Sequence, residues 1–267
     1  MGLSLFERHP TGVRLTAGGR RFTASARTLL KDLDTAVGDV QMHGVAAQGH
    51  LRVGLIASLS VGLIRDLFIA LLADHPEIEV SIQELDRSEL LMLLNHREID
   101  VVIAAGEPEP ELGDGLLLHR ERIYLAVAAD HLFAERDRLF WDDVRRTPFI
   151  VSAYEPGPEI HDYITRNATG LGQFVHVRRF RLGREGIMNL VGLGLGVSLV
   201  ANHWRGVSYP NVSFVPIGDE DERVPFSLTW RPENDNPALR RFVSLARVHA
   251  RKAAADDAAS QRPDPLP

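Results

Sequence analysis

The sequence predicts an α/β protein whose body divides into two lobes, and three observations carry that expectation. Apolar residues make up 45% of 267, enough to bury a sizeable core. After His50, short apolar strands alternate with amphipathic helices, the pattern of a largely parallel sheet. The same alternation restarts near Ile123, so two similar α/β halves with a cleft between them are expected.

The elements follow in order. Residues 17 to 46 hold neither proline nor strand-like alternation. Phe22, Ala26, Leu29, Leu33, Val37 and Val40 recur at spacings of four and three, which gives a long helix with a narrow apolar stripe suited to pairing with another helix. Thr16 is a candidate N-cap. Leu51 to Ile56 reads as a strand, followed by a helix beginning near Val61 with Val61, Ile64, Leu67, Phe68, Leu71 and Leu72 on its buried face, stopped at His75-Pro76. Ile78, Val80 and Ile82 mark a second strand, Leu90, Leu91 and Leu94 a helix, and Val101 to Ala104 a third strand. Further strands are expected at Ile123 to Ala128, Phe149 to Val151, Phe174 to Val177, Val197 to Val200, Val212 to Val215 and Phe226 to Trp230. Helices fit at about 158 to 167, 184 to 193 and 239 to 248, and the tail from Arg251 reads as disordered.

Charge and cysteine usage narrow the function. The net charge of −6 conceals a basic end, because residues 1 to 31 carry +5 and the remainder −11. A basic end on an acidic body suggests that one end meets a polyanion such as nucleic acid. The absence of cysteine excludes disulfides, zinc-thiolate sites and thiol chemistry, and fits a reducing compartment. No apolar run approaches the ~18 residues of a membrane span and the N-terminus lacks a signal-peptide layout, so a cytoplasmic protein without membrane partners is expected.

Leu5-Phe6-Glu7-Arg8, Gly12-Val13-Arg14-Leu15-Thr16 and Gly19 resemble the end of the winged helix-turn-helix of LysR-type transcriptional regulators. Leu51-Arg52-Val53-Gly54, the His75-Pro76 stop, Glu98-Ile99-Asp100 and the run Gly194 to Val200 resemble that family's effector-binding domain, up to about Arg251. The Ala57-Ser58-Leu59 turn and Glu84-Leu85 look most like regulators of aromatic-acid catabolism. Two loops depart from the pattern, at Ala201 and at His131-Leu132-Phe133. The resemblance implies a periplasmic-binding-protein-like effector domain at 49–252, with lobe I at 51–124 and 224–252 and lobe II at 125–223. A wing remnant is expected at 1–16, a linker and dimerisation helix at 17–48, and a disordered tail at 253–267. It further implies a small effector in the cleft, homodimers or homotetramers, and DNA as a partner of the full-length form. The family's recognition helix lies upstream of Leu3 in the pattern, so these residues are expected to touch phosphates through Arg8, Arg14 and Arg20 without reading bases.

Several residues are candidates for holding a small anion. Ser58 and Ser60 lie where the first strand turns into a helix, a place that presents free N–H groups, although serines there also serve simply as N-caps. Arg87 follows the second strand at the carboxyl edge of the sheet and offers a paired donor fork, unless it pairs with Asp86 or Glu89. The resemblance places His119 at the cleft. Ser152 closes the Phe149-Ile150-Val151 strand before a loop rich in turn residues, and Arg184 opens a helix. The Gly192-to-Gly196 run precedes a strand instead of following one, contrary to a dinucleotide fingerprint. Glu159, His161 and Asp162 lack a second histidine at metal-ligating spacing. With no Gly-x-Ser-x-Gly elbow either, no catalytic constellation, cofactor or metal is expected. The reading is a ligand-responsive regulator, with a solute-binding protein of similar architecture as the alternative and an enzyme resting on fold alone.

Overall fold

The computed structural model describes residues 4–9, 12–23, 25–27, 49–169 and 175–260. They fall into two compact units, Met1–Gly49 and His50–Pro267. Among them, no helix is long and apolar enough to cross a membrane.

In the first unit, β1 (Phe6–His9) and β2 (Gly12–Leu15) form an antiparallel hairpin with Phe6 opposite Leu15. Helix α1 follows, described at 17–23 and 25–27. Its cap is Thr16, whose Oγ1 accepts the Gly19 N–H at 2.9 Å and donates to the Ser4 carbonyl at 2.9 Å, satisfying one orphan donor of the first turn. A side chain at Gly19 would meet the Leu5 carbonyl oxygen at 2.0 Å, so glycine lets helix and hairpin touch. Leu29, Leu33, Val37 and Val40 of the expected stripe, and most of the linker helix, lie outside the described residues.

The second unit is built around one long strand. The strands are β3 (His50–Leu55), β4 (Glu79–Gln83), β5 (Val101–Ala105), β6 (Asp114–Ala128), β7 (Phe149–Ser152), β8 (Val177–Phe180), β9 (Ser198–Ala201), β10 (Val212–Pro216) and β11 (Arg223–Trp230). The helices are α2 (Leu63–Asp74), α3 (Arg87–Asn95), α4 (Trp141–Val144), α5 (Gly157–Ala168), α6 (Arg184–Gly192) and α7 (Pro237–Ser260), with a 3₁₀ turn at Asn202–Trp204. Residues 114–122 of β6 pair antiparallel with β11, whereas 123–128 pair with β9 and β10. The strand therefore leaves one sheet and enters another at Arg122-Ile123.

Lobe I orders its strands β6-β11-β5-β3-β4, with β3 parallel to both β4 and β5. Its principal core packs α2 and α7 on one face, where Leu51, Val53, Leu67, Leu71, Ile103, Leu228 and Phe242 are sealed. Helix α3 covers the other face through Leu90 and Leu94. Lobe II repeats the plan: α4 and α5 bury Val144 and Ile164 against Phe149, Leu125 and Val215, and α6 buries Ile187, Met188 and Val191 on the opposite face. A parallel bridge between Phe149 and Val197 joins β7 and β8 to the β9 side of that sheet. Each lobe is a sheet between helices, the arrangement that alternating strands and helices favour.

Several expectations shift. The strand expected at Ile123 begins nine residues earlier, at Asp114, because the polar run His119-Arg120-Glu121-Arg122 separates Leu116-Leu117-Leu118 from the apolar stretch that begins at Ile123. The strand expected at Phe174 to Val177 lies at Val177–Phe180; Phe174 itself is outside the described residues. Val61 lies before α2 and Leu72 faces outward, being 38% and 51% exposed. Helix α7 continues to Ser260 through the stretch expected to be disordered from 253, and the tail beyond Ser260 is outside the described residues.

Candidate functional site

Two cavities open between the lobes. The larger, about 800 Å³, takes its walls from the ends of β5, β9 and β11, from Ile123 in the middle of β6 and from α5. The smaller, about 380 Å³, lies between the Glu84-Leu85-Asp86 segment of lobe I and the Ser152-to-Gly157 loop of lobe II. Pro156, Ile160, Arg184 and Trp204 line both. Volumes of this order suit small-molecule sites.

Arg184 is the group where the compartments meet. As the first residue of α6, after the extended Gly183, it leaves the helix start and lays its guanidinium over the Trp204 ring at 3.9 Å. Enclosure lowers its pKa to about 10, offset in part by the charges of Tyr209 and Glu84, so the cation persists at neutral pH. Among the described residues, no carboxylate lies within salt-bridging distance of it.

The cavities differ in electrostatics. The smaller carries Glu84, Asp86, Glu89 and Glu155 around Arg184. Burial raises the Glu155 carboxyl, and the nearby charges of Glu159 and Asp86 add to that while Arg87 opposes it. An anion is unwelcome on that side. The larger cavity carries four arginines, Arg87, Arg166, Arg184 and Arg223, against Glu109, Glu159 and Asp162. An anion fits there, over an apolar floor that includes Ile56, Ile123, Leu199, Val224 and Phe226.

The lobes are clasped on the hinge side by buried polar groups. Glu121 of β6, 5% exposed, accepts the backbone N–H of His203 at 2.9 Å and contacts His203 Nδ1 and His119 Nε2 at 2.6 Å each. Burial pushes its carboxyl up, but the hydrogen bonds from His119 and then His203 outweigh it and hold the group at about 2. Phe226 packs against both imidazoles, with ring centroids at 5.8 and 4.7 Å. The Ser60 hydroxyl donates to the His203 carbonyl. A side chain at Gly206 would meet Ser60 main-chain atoms at 2.8 Å.

The sequence-selected residues divide accordingly. Arg184 lines both cavities, Arg87 the larger and Ser152 the smaller. Arg87 has its donors engaged: Nη1 meets the Ala105 carbonyl at 2.8 Å and Glu159 at 3.4 Å, and Nη2 meets Glu109 at 3.2 Å. Its partners are these, not Asp86 or Glu89, and the Glu159 contact spans the cleft. The Ser152 hydroxyl donates to the Leu182 carbonyl at 2.8 Å and accepts the Tyr154 N–H at 2.9 Å, shaping the loop. Ser58, Ser60 and His119 line neither cavity. Ser58 Oγ accepts the Ser60 N–H at 3.1 Å, and Gly62, with φ 93°, is the N-cap of α2, so neither serine caps the helix. His203, Trp204, Arg166 and Arg223 escaped the sequence reading. The His203-Trp204 pair, one residue beyond the apolar β9, is the one signal the sequence offers.

Among the described residues, no cluster of His, Asp and Glu gathers to hold a metal. The N-terminal arginines lie in the other unit: Arg14 and Arg20 are exposed, and Arg20 Nη1 donates to the Leu15 carbonyl at 2.9 Å. The side chain of Arg8 is outside the described residues.

Two α/β lobes clasped around a cavity define a ligand-binding module. The model of the LysR substrate binding domain matches residues 45–251, and the chain belongs to the LysR family of transcriptional regulators. It is 25% identical over 255 residues to the HTH-type transcriptional regulator YnfL of Escherichia coli, covering 93% of this chain and 83% of the relative. It is also 25% identical to the hydrogen peroxide-inducible genes activator of Dickeya chrysanthemi, over 92% of this chain and 80% of that one. Among solved structures, full-length CbnR with its target DNA superposes with a TM-score of 0.76 at 24% identity, covering 93% of this chain and 85% of that one. The BenM effector-binding domain with benzoate gives 0.64 at 20% identity, with coverages of 82% and 97%. The relatives are named regulators, so the chain is read as a regulator and not as an enzyme.

Proposed function

We propose that this chain senses a small anionic effector, most simply a carboxylate, in the larger cavity between its lobes. The observation that carries this reading is the Arg184 guanidinium, stacked on Trp204 and without a carboxylate partner among the described residues. A charge-assisted bond from such a group contributes about 1.5–3 kcal/mol. The benzoate named with the BenM domain is an acid of this kind.

Binding acts on regulation by favouring one arrangement of the lobes, and the energy available is limited to the difference in effector affinity between the two arrangements. Homodimers or homotetramers built through the linker helix would pass that arrangement to DNA. Arg14 and Arg20 would contribute phosphate contacts, which are salt-sensitive and independent of sequence. A gel shift against the native promoter region, with a scrambled competitor, checks this.

A thermal-shift panel of small carboxylic acids, each beside its neutral amide, tests the sensor reading. At least one acid should raise the melting temperature where its amide does not. Equal shifts from acid and amide would refute the anion reading.

A further inference from the structure

We propose that His203 is a second contact for the effector in the larger cavity, and that binding of a small carboxylate there draws a proton from solvent onto its imidazole. The inference rests on the anion reading above and adds proton linkage to it.

His203 belongs to the wall of the larger cavity, and all of its polar atoms but one are engaged. Its backbone N–H and Nδ1 meet Glu121 Oε2, and its carbonyl accepts the Ser60 hydroxyl. Nε2 is left, buried and without a hydrogen-bond partner. Glu121, its carboxyl held at about 2, is ionised and can only accept, so Nδ1 carries the proton of the neutral ring. Nε2 is then a lone pair in the neutral imidazole and an N–H donor in the imidazolium.

Charge decides between these forms. With both imidazoles neutral, the Glu121 cluster carries one negative charge. His119 meets the other carboxylate oxygen from β6, and among the described residues no Arg or Lys lies within salt-bridging distance of Glu121. Phe226 of β11, edge-on at 4.7 Å, and Trp204, at 5.5 Å, bring no charge to the His203 ring. Arg184 of α6 stacks on that same indole, which puts Arg184 and His203 on one stretch of the cavity wall. Elsewhere on the wall Arg87, Arg166 and Arg223 match Glu109, Glu159 and Asp162 in formal charge.

A carboxylate that answers Arg184 therefore leaves the buried Glu121 charge as the unbalanced one. A proton on His203 neutralises it. In the empty cavity that proton would make a buried donor with no acceptor, which is costly, whereas a bound carboxylate supplies the acceptor. An imidazole needs only a small change of surroundings to cross neutrality.

Calorimetric titration of the full chain with acetate, butyrate and benzoate tests the linkage, because all three stay ionised between about pH 6 and 8. Triethanolamine and Tris, buffers of different ionisation heat, reveal the proton. The acid that binds should take up ~0.5 proton or more near about pH 7, and its Kd should rise ~3-fold or more from about pH 6 to 8. His203→Asn, whose amide keeps a donor toward Glu121, should abolish both effects. His119→Gln, which likewise keeps a donor toward Glu121, should leave both in place. Binding without proton uptake, uptake that survives His203→Asn, or uptake lost in His119→Gln overturns the linkage and leaves the Arg184 reading standing. No binding by any of the three acids overturns both.

Discussion

Glu121 and His203 join the two lobes through one carboxylate: Oε2 lies 2.9 Å from the His203 backbone nitrogen and 2.6 Å from its Nδ1. Glu121 stands on the lobe I half of β6, opposite Val224 of β11, and His203 follows β9 of lobe II. The hinge is thus held by a buried anion that three donors share.

Replacing Glu121 by Gln removes the charge and turns one of its two acceptor oxygens into an NH₂ donor facing other donors, in a site sealed against water. A loss of about 2–3 kcal/mol is expected, seen as a fall of ~5–10 °C in melting temperature for a chain of this size. Urea denaturation of both proteins at neutral pH measures it.

Acidification acts on the same residue. Its folded pKa, at about 2, is depressed below the ordinary 4.5, so the stabilisation is fully present above pH 4.5 and is lost as the pH falls toward 2. The amount is on the order of 3 kcal/mol. Asp100 acts in the same direction: burial raises its carboxyl, but hydrogen bonds from Arg52 and Asn234, with the Arg52 charge, outweigh that and lower it. Stability curves between pH 6 and 2 should slope downward, and Glu121→Gln should flatten the slope.

Gly206→Val should prise the lobes apart, because the new side chain would enter the main chain of Ser60, 2.8 Å from where a Cβ would stand. Overpacking of this kind costs about 1–3 kcal/mol. The expected signature is weaker binding of whichever acid the thermal panel selects, together with a lower melting temperature.

Arg87→Ala should matter little for binding. Its donors are spent on Glu109, which is 57% exposed, on the half-buried Glu159 and on the Ala105 carbonyl, and ion pairs this open to solvent contribute about 0–1 kcal/mol. Effector affinity is expected to change by less than ~5-fold, measured by calorimetry beside the Arg184 variant.

Much of the fold was legible where burial is simple. The apolar runs of β3, β5 and β7 and the stripe Ile64, Leu67, Phe68, Leu71 stand out because those residues face a core on one or both sides. The first half of β6 did not, since His119, Arg120, Glu121 and Arg122 break the apolar alternation and find their partners across the hinge or in solvent. The short helix at Trp141 and the turn at Asn202 were missed for want of length. Of the site, Arg184 was visible from its place at a helix start. Ser58, Ser60 and His119 read as polar residues near the cleft, but in the structure the Ser60 hydroxyl reaches across to the His203 carbonyl, Ser58 accepts the Ser60 N–H and His119 contacts Glu121. His203 and Arg223 acquire their roles only from partners 82 residues away in the chain, in the case of His203 and Glu121, or from a cavity that sequence spacing does not reveal.

The most direct test of the account is a calorimetric titration of wild type and Arg184→Gln with the acid selected by the thermal panel. If Arg184 captures the anion, affinity falls ~10- to 100-fold while the melting temperature of the unliganded protein stays within a few degrees. An unchanged dissociation constant in the variant would contradict it.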